Sequence, residues 1–182
     1  MKNILTKIFS SKKNLSSKEI SFLEITKKTK ISEIFNAILN YNEISEIRYV
    51  GGCVRKILND EKFDDIDLAT NLNPQEIKAA LEKNRINYFE TGLEHGTITA
   101  RIGEKNFEIT SLRKDIKTDG RHALVEFTKD WKEDSLRRDF SINSIYSDAD
   151  GNLFDPNDGV EDLKNGKIEF IGDPEKELKK II

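Results

Sequence analysis

The sequence predicts an α/β (α+β) fold in which helices and short strands alternate and one pair of strands forms a hairpin. Helical repeats of apolar residues alternate along the chain with short apolar strands. A hairpin turn at Gly103–Asn106 joins two of these strands, which therefore run antiparallel. The 182 residues suit one domain, or one domain and a fragment of another, and they suffice to bury a core.

The first half of the chain predicts four helices and two strands. Apolar residues recur at helical spacing between Ile31 and Leu39. Asn73 is expected to cap a further helix, with Pro74 at its first position and Glu76 in its first turn. We expect helices near Ser17–Lys28, Ser32–Tyr41, Cys53–Leu58 and Pro74–Lys83, and strands at Ile47–Val50 and Asp65–Ala69.

The second half predicts further strands, a loop and helices. Phe107 and Ile109 share one face of a strand, so Glu108 and Thr110 lie on its polar face. The polar segment 113–123 has Asp119-Gly120 at its centre and is expected to be a mobile loop. We expect strands at Ile86–Glu90, Thr97–Ile102, Phe107–Leu112, Leu153–Phe154 and Ile168–Ile171, and helices at Ser135–Ser147, Val160–Lys164 and from Pro174 onward.

Composition excludes several classes of protein. No apolar run approaches the ~20 residues that a bilayer-spanning helix needs, and residues 1–17 lack the continuous apolar core of a secretory signal. Cys53 is the single cysteine, so no internal disulfide forms, which fits a reducing compartment. We therefore expect a soluble, cytoplasmic protein without a membrane partner.

Charge is distributed unevenly along the chain. Residues 1–30 carry eight lysines and two glutamates, a net charge of +6, and the rest of the chain carries −9. Such a basic arm can contact a polyanion, and the alternative is a solvated, partly disordered leader. The arginine side chain can bind a phosphate through two hydrogen bonds at once, which lysine cannot do. Five of the eight arginines lie in the stretches of interest described below, namely Arg55, Arg113, Arg121, Arg137 and Arg138.

The stretch Val50–Thr70 combines a glycine pair with an acidic pair. Gly51-Gly52 precedes a helix, whose first N–H groups can hold a phosphate, and a plain turn is the alternative. In one strand, Asp65 and Asp67 would point the same way and repel by roughly 4 kcal/mol at about 4 Å and an effective dielectric of about 20. A hard divalent cation offsets such repulsion, and an acidic surface pair is the alternative. The stretch therefore indicates nucleotide chemistry.

A second charged stretch, D-S-L-R-R-D-F-S-I-N at 134–143, places charges densely around apolar positions. Arg137 and Arg138 can grip a triphosphate or a ribose, with Asp139 orienting one of them, and a salt-bridged helix face is the alternative. His95 and His122 are expected to be structural or loop residues. The absence of a His/Cys cluster argues against zinc, and the absence of G-x-x-x-x-G-K-[S/T] excludes a P-loop NTPase.

The order of these pieces resembles that of the DNA polymerase β-like nucleotidyltransferases. More narrowly, the chain resembles the bacterial class II tRNA nucleotidyltransferases, which comprise the CCA-adding enzymes and the bacterial poly(A) polymerases. The matching stretches follow the family's order from about residue 47 to 176. They are Y-V-G-G-C-V-R, F-D-D-I-D-L-A-T, H-G-T-I-T-A, F-E-I-T-S-L-R, T-D-G-R-H-A, D-S-L-R-R-D-F-S-I-N-S-I-Y, D-P-N-D-G-V-E-D-L and I-E-F-I-G-D-P.

The resemblance implies a polymerase β-like head domain that carries the chemistry, with a mixed, mostly antiparallel sheet flanked by helices. CTP and ATP would be its substrates, two Mg²⁺ ions its cofactors and the tRNA 3′ end its partner. The matching positions imply catalytic roles for Asp65, Asp67 and Glu108, with Asp65 and Asp67 also as metal ligands. They imply nucleotide binding by Gly51, Gly52, Arg55, Arg137, Arg138, Asp139 and Asn143, and a flexible loop near the site at Asp119–His122.

The chain departs from the family pattern in a few places. Lys56 stands where the family has Asp, and Ser141 and Ser144 replace Thr and Ala. After Gly-Asp-Pro the family continues with Arg and a Glu-Asp-x-x-Arg motif on a neck helix that reads the incoming base. Here residues 175–182 read E-K-E-L-K-K-I-I.

We therefore expect a basic extension at 1–30, the head domain at 31–172 and the start of a truncated neck helix at 173–182. The head is expected to need neck, body and tail parts, for instance from a separately encoded chain. Poly(A) addition and a non-catalytic remnant that binds nucleotide or RNA are the alternatives, and the residues present do not decide between CCA and poly(A) addition.

Overall fold

The centre of the structure is a sheet built from short strands. The computed structural model describes residues 17–63, 65–119 and 122–173. The strands in these ranges are β1 (Ile47–Val50), β2 (Asp67–Thr70), β3 (Asn87–Gly92), β4 (Thr97–Ile102), β5 (Lys105–Ser111), β6 (Arg113–Asp119), β7 (His122–Phe127), β8 (Tyr146–Ser147) and β9 (Leu153–Phe154).

Seven of these strands form the main sheet, in the order β3-β4-β5-β2-β1-β8-β9, and β6 and β7 form a separate hairpin. β2 pairs with β5 in parallel, whereas the other neighbours in the sheet pair antiparallel. The sheet is therefore mixed and mostly antiparallel, as predicted. The parallel pair matters for function because it sets Asp67 opposite Glu108.

Helices pack against this sheet and complete the core. They are α1 (Ser17–Lys28), α2 (Ser32–Leu39), α3 (Gly52–Leu58), α4 (Pro74–Lys83), α5 (Trp131–Leu136) and α6 (Gly159–Lys164), with 3-10 turns at Leu93–His95 and Ser141–Asn143. The predicted start of α4 is confirmed, since Asn73 and Glu76 form a reciprocal capping box and Pro74 is the first helical residue. No helix in the described ranges is long and apolar enough to cross a membrane.

Helix α1 belongs to the core, although its sequence lies within the basic extension. The Phe22 side chain is fully buried, and its ring centroid lies 5.6 Å from that of Tyr49 on β1. Thr26 Oγ1 lies 2.7 Å from the Tyr49 hydroxyl, a buried hydrogen bond across the two elements. A solvated leader is therefore wrong for residues 17–28, whereas residues 1–16 lie outside the described ranges.

The loop predicted for 113–123 is a hairpin instead. Residues Arg113–Asp119 pair antiparallel with His122–Phe127, and the register shifts between Asp115 and Lys117. Both faces of a two-stranded hairpin can meet water, and Ile116 is half exposed. The alternation of apolar and polar residues that marks a half-buried strand is therefore missing. Gly120 and Arg121 lie outside the described ranges.

The single helix predicted for Ser135–Ser147 is also wrong. Helix α5 begins earlier and ends at Leu136, a 3-10 turn follows, and β8 then pairs with the edge of β1. Tertiary pairing thus overrides helical spacing, since Tyr146 and Ser147 complete the sheet. The strand predicted at Ile168–Ile171 is reduced to one bridge between Phe140 and Phe170.

Candidate functional site

The turn between β1 and α3 forms the floor of the candidate site. Gly51 has φ +73, a left-handed conformation that favours glycine, and its carbonyl accepts from Arg55 N at 3.2 Å. A Cβ at Gly51 would stand 3.9 Å from Arg138 Nη1 and 3.9 Å from Asp67 Oδ2. Both distances are ordinary van der Waals contacts, so the positive φ is what favours glycine here. An arginine and a carboxylate from distant elements thus lie beside the same turn.

Asp67 and Glu108 form the acidic side of the site. They are in register on the parallel strands β2 and β5, so their side chains lie side by side on one face of the sheet. Asp67 is partly buried and Glu108 is exposed, which leaves the pair open to a ligand. Ile109, next along β5, is fully buried, in agreement with the predicted two faces of this strand.

Asp65 lies differently from the prediction. Strand β2 begins at Asp67, so Asp65 precedes it and the predicted strand that holds both carboxylates is wrong. Asp65 is exposed, whereas Ile66 and Leu68 are buried as expected. Asp65 nevertheless acts on Asp67 through its charge.

Electrostatics link the three acids. Burial, Glu108 and then Asp65 raise the pKa of the Asp67 carboxyl, and Arg138 opposes them. Burial and the neighbouring charges therefore disfavour the ionised form of Asp67, as expected where a cation binds in the working state. Within the described ranges, however, no three His, Cys, Asp or Glu side chains are grouped so as to hold a metal ion. The donor atoms suit Mg²⁺, and the ion itself remains a prediction.

The arginine pair Arg137–Arg138 is held by Asp134, at the end of α5. Asp134 Oδ1 accepts from Arg137 Nε at 2.9 Å and forms an ion pair with Arg137 Nη2 at 2.8 Å. Asp134 Oδ2 accepts from the Tyr146 hydroxyl at 2.7 Å and from Arg138 Nη2 at 3.4 Å. Burial alone would raise the pKa of the Asp134 carboxyl, but Arg137 and Arg138, together with the hydrogen bonds from Tyr146 and Arg113, outweigh burial and lower it.

The prediction that Asp139 orients one of the arginines is therefore wrong. Asp139 Oδ1 instead accepts from Phe140 N at 2.8 Å and from Asn143 Nδ2 at 3.0 Å. Asn143 Oδ1 in turn accepts from Arg55 Nη1. A chain of hydrogen bonds thus runs from α3 through the 3-10 turn, and it links Arg55, Asn143 and Asp139, three of the predicted nucleotide-binding residues.

Asp134 and Tyr146 are residues near the site that the sequence did not single out for it, and Arg113 was named only among the arginines suited to phosphate. Arg113 Nη1 donates to the His95 carbonyl, Arg113 N donates to Asp134, and Arg113 Nε is buried without a partner. Burial and the nearby Arg137 lower the pKa of Arg113 to about 10. Asp134 was detectable from spacing, since it precedes the two arginines by three and four residues. The contact of Asp134 with Tyr146 was not detectable, because Tyr146 lies in a strand where the sequence predicts a helix.

Comparisons with known proteins identify the family of the chain. The family model described as the poly A polymerase head domain matches residues 47–169. The chain is 52% identical over 131 residues to the mitochondrial CCA tRNA nucleotidyltransferase 1 of Homo sapiens, covering 71% of this chain and 30% of the relative. It is 40% identical over 133 residues to the CCA-adding enzyme of Lactobacillus helveticus, covering 72% of this chain and 32% of the relative.

Solved structures show the same fold. The Bacillus stearothermophilus CCA-adding enzyme in complex with CTP aligns with a TM-score of 0.71 and 25% identity, over 91% of this chain and 36% of that one. A tRNA nucleotidyltransferase complexed with a primer tRNA and an incoming ATP analogue aligns with a TM-score of 0.56 and 26% identity, over 83% of this chain and 39% of that one.

The chain spans about a third of the length of these curated relatives. The match covers the region that holds the glycine turn, the acidic pair and the arginine pair. The chain therefore belongs to the family of the poly(A) polymerase head domain, as the head domain of the class II CCA-adding type.

Proposed function

We propose that this chain is the catalytic head of a tRNA nucleotidyltransferase, which transfers nucleotides from CTP and ATP to the 3′ end of tRNA. The observation that carries the proposal is the convergence of Asp67, Glu108 and Arg138 at the Gly51 turn. Two acids beside a fixed guanidinium suit a bound triphosphate and its metal, because catalysis of phosphoryl transfer is mainly positioning and neutralisation of charge.

The nucleotide-binding roles follow from position. The Gly51-Gly52 backbone, Arg55, Arg137 and Arg138 would bind the phosphates, and Asp139 and Asn143 the ribose. Nucleotide binding by this fold has support from the neighbours, since one solved structure contains CTP and another a primer tRNA with an ATP analogue.

The acidic residues would do the chemistry. Asp65 and Asp67, with Glu108 beside them, would hold Mg²⁺, which when bound activates the 3′-hydroxyl and stabilises the leaving pyrophosphate. The exposed carboxylate of Glu108 is open to the approaching RNA end and can accept the proton of that hydroxyl.

The proposal is tested by incubating the chain with Mg²⁺, labelled CTP or ATP and a tRNA that lacks its 3′ CCA. One arm uses the chain alone, and a second adds a fragment of the Lactobacillus helveticus enzyme without its own head. We expect label in tRNA in the second arm at least, and Asp67→Asn should reduce incorporation by about a thousandfold or more, since it removes a charge needed in the transition state.

Glu104→Gln is the matched control for this experiment. Glu104 lies in the exposed turn between β4 and β5, where it pairs with Arg101. This control should incorporate label at the wild-type rate. Equal, background-level incorporation by wild type and Asp67→Asn in both arms would overturn the proposal and leave a nucleotide-binding remnant.

Poly(A) addition is the second candidate, favoured by the family model that matches residues 47–169. The same assay separates the two, because a CCA-adding enzyme stops after three nucleotides and a poly(A) polymerase extends with ATP alone. Sequencing the products decides between them.

The proposal extends to partner and location. Neck, body and tail parts would clasp the tRNA, and co-purification of the chain from its native cells would reveal any that a separate chain supplies. Cys53 is buried and unpaired, as suits a cytoplasmic protein, and cell fractionation tests that location.

A further inference from the structure

We propose that Asp134 and Tyr146 form a buried positioning pair that fixes the Arg138 guanidinium against the Gly51 turn, ready for the phosphates of a nucleoside triphosphate. The inference rests on the proposed function and assigns roles to two residues outside the predicted site. Neither residue needs to touch the nucleotide, since both act through Arg138.

The first step is the geometry around Arg138, whose three nitrogens are all engaged. Arg138 Nε donates to the Tyr146 hydroxyl at 3.1 Å, Nη2 to Asp134 Oδ2 at 3.4 Å and Nη1 to the Asn143 carbonyl at 3.4 Å. The Tyr146 ring also lies beneath the guanidinium, with its centroid 5.2 Å from Cζ. The side chain therefore has one orientation, in which Nη1 is the nitrogen next to Gly51.

The second step is the connection between the two holding residues. The Tyr146 hydroxyl accepts from Arg138 and donates to Asp134, so a single hydroxyl joins the cation to its counterion. Asp134 and Tyr146 are at most 1% exposed, and water cannot readily replace either contact. Asp134 also accepts from Arg113 N at the start of β6, which ties the hairpin to the same carboxylate.

The third step is charge. Asp134 is surrounded by Arg113, Arg137 and Arg138, so its single negative charge leaves an excess of positive charge on the Arg138 side of the Gly51 turn, facing the carboxylates of Asp67 and Glu108. Such an excess, held by buried groups, is a ready site for an anion such as a triphosphate. A flexible arginine would lose more conformational entropy on binding, so a fixed one gives higher affinity.

The test compares Tyr146→Phe with Tyr49→Phe. Both tyrosines are fully buried with a hydrogen-bonded hydroxyl, at 2.7 Å from Asp134 and from Thr26 respectively. Tyr146 pairs with Val50, the residue that follows Tyr49 on β1, so the two tyrosines face opposite sides of the sheet. Each variant should lower the thermal unfolding midpoint, and only Tyr146→Phe should weaken binding of CTP with Mg²⁺, by about tenfold in calorimetry.

A double-mutant cycle then separates positioning from a structural role. If Tyr146 acts through Arg138, Tyr146→Phe should change the CTP dissociation constant by less than about twofold in an Arg138→Ala background. Asp134→Asn is expected to weaken CTP binding by at least as much as Tyr146→Phe, since it loosens both arginines. Lys132→Ala, on an exposed position of the same helix, should leave CTP binding unchanged.

The outcomes are distinct. A wild-type chain that binds no CTP with Mg²⁺ would overturn the proposed function and the positioning role with it. A wild-type chain that binds, with equal affinity in Tyr146→Phe, or with an equal loss in the Arg138→Ala background, would overturn only the positioning pair.

Discussion

At the scale of single residues, Asp67 is where function and stability are expected to conflict. Burial and the neighbouring acids raise the pKa of its carboxyl. The folded chain therefore binds this proton more tightly than the unfolded chain does. By linkage, the free energy of unfolding of the metal-free chain falls as pH rises through this titration.

Asp67→Asn is therefore expected to stabilise the metal-free chain. In EDTA at pH 7 the variant should unfold at a higher temperature than wild type, by a shift on the order of 1 °C. This gain in unfolding temperature should shrink as pH is lowered toward the ordinary aspartate pKa of about 3.9, because the Asp67 carboxyl of the wild type then becomes protonated and neutral too. Differential scanning calorimetry across this pH range measures both effects.

Glu104→Gln serves again as the control, because Glu104 is exposed. This variant should unfold at the same temperature as wild type at every pH. An Asp67→Asn variant that is less stable than wild type at pH 7, or a gain that stays constant with pH, would show that Asp67 is not held against repulsion.

At the scale of elements, helix α1 shows how a segment with a polar composition joins the core. Phe22 is fully buried and packs with Phe35 around Tyr49. Phe22→Ala should lower the free energy of unfolding by about 3–5 kcal/mol, the usual result of removing a buried phenylalanine. Denaturant titration followed by circular dichroism measures it.

Lys27→Ala is the matched control on α1, because Lys27 is exposed and its removal should change the free energy of unfolding by less than about 0.5 kcal/mol. If Phe22→Ala costs no more than Lys27→Ala, α1 does not pack against the head in solution.

The elements also show what the sequence could predict. Local signals sufficed for α4, whose cap, proline and acidic first turn lie within four residues, and for the two faces of β5. Two glycines and an apolar run likewise located the turn after β1. In each case neighbours in the chain determine the structure, so a single sequence contains the information.

Long-range pairing explains the failures. Tyr146 lies in a strand because β1 offers an open edge to it, and nothing within Ser135–Ser147 reveals that edge. Asp67 and Glu108 lie 41 positions apart in the chain, so the sequence shows both acids but does not reveal that they stand opposite each other on paired strands. The contact of Tyr146 with Asp134 is hidden for the same reason, since the two side chains meet only in the folded chain. Asp134 itself lies within four residues of both arginines, so its contacts with them are local and could be predicted.

At the scale of the whole molecule, the proposed site is contained within the head. Gly51, Asp67, Glu108, Arg138 and Asn143 all lie inside the region that the family model matches. Nucleotide binding is therefore expected of this chain by itself. Engagement of tRNA is expected to draw on parts that the relatives carry beyond the third of their length that this chain spans.

The glycine turn, the acidic pair and Arg138 are proposed to form one site for a metal and a triphosphate. The most direct measurement is a crystal structure of the chain with CTP and Mn²⁺, which gives anomalous scattering where Mg²⁺ would bind. We predict an anomalous peak in contact with the Asp67 carboxylate, and phosphates between Gly51 and Arg138. Nucleotide bound elsewhere on the chain, or manganese away from Asp67 and Glu108, would contradict the account.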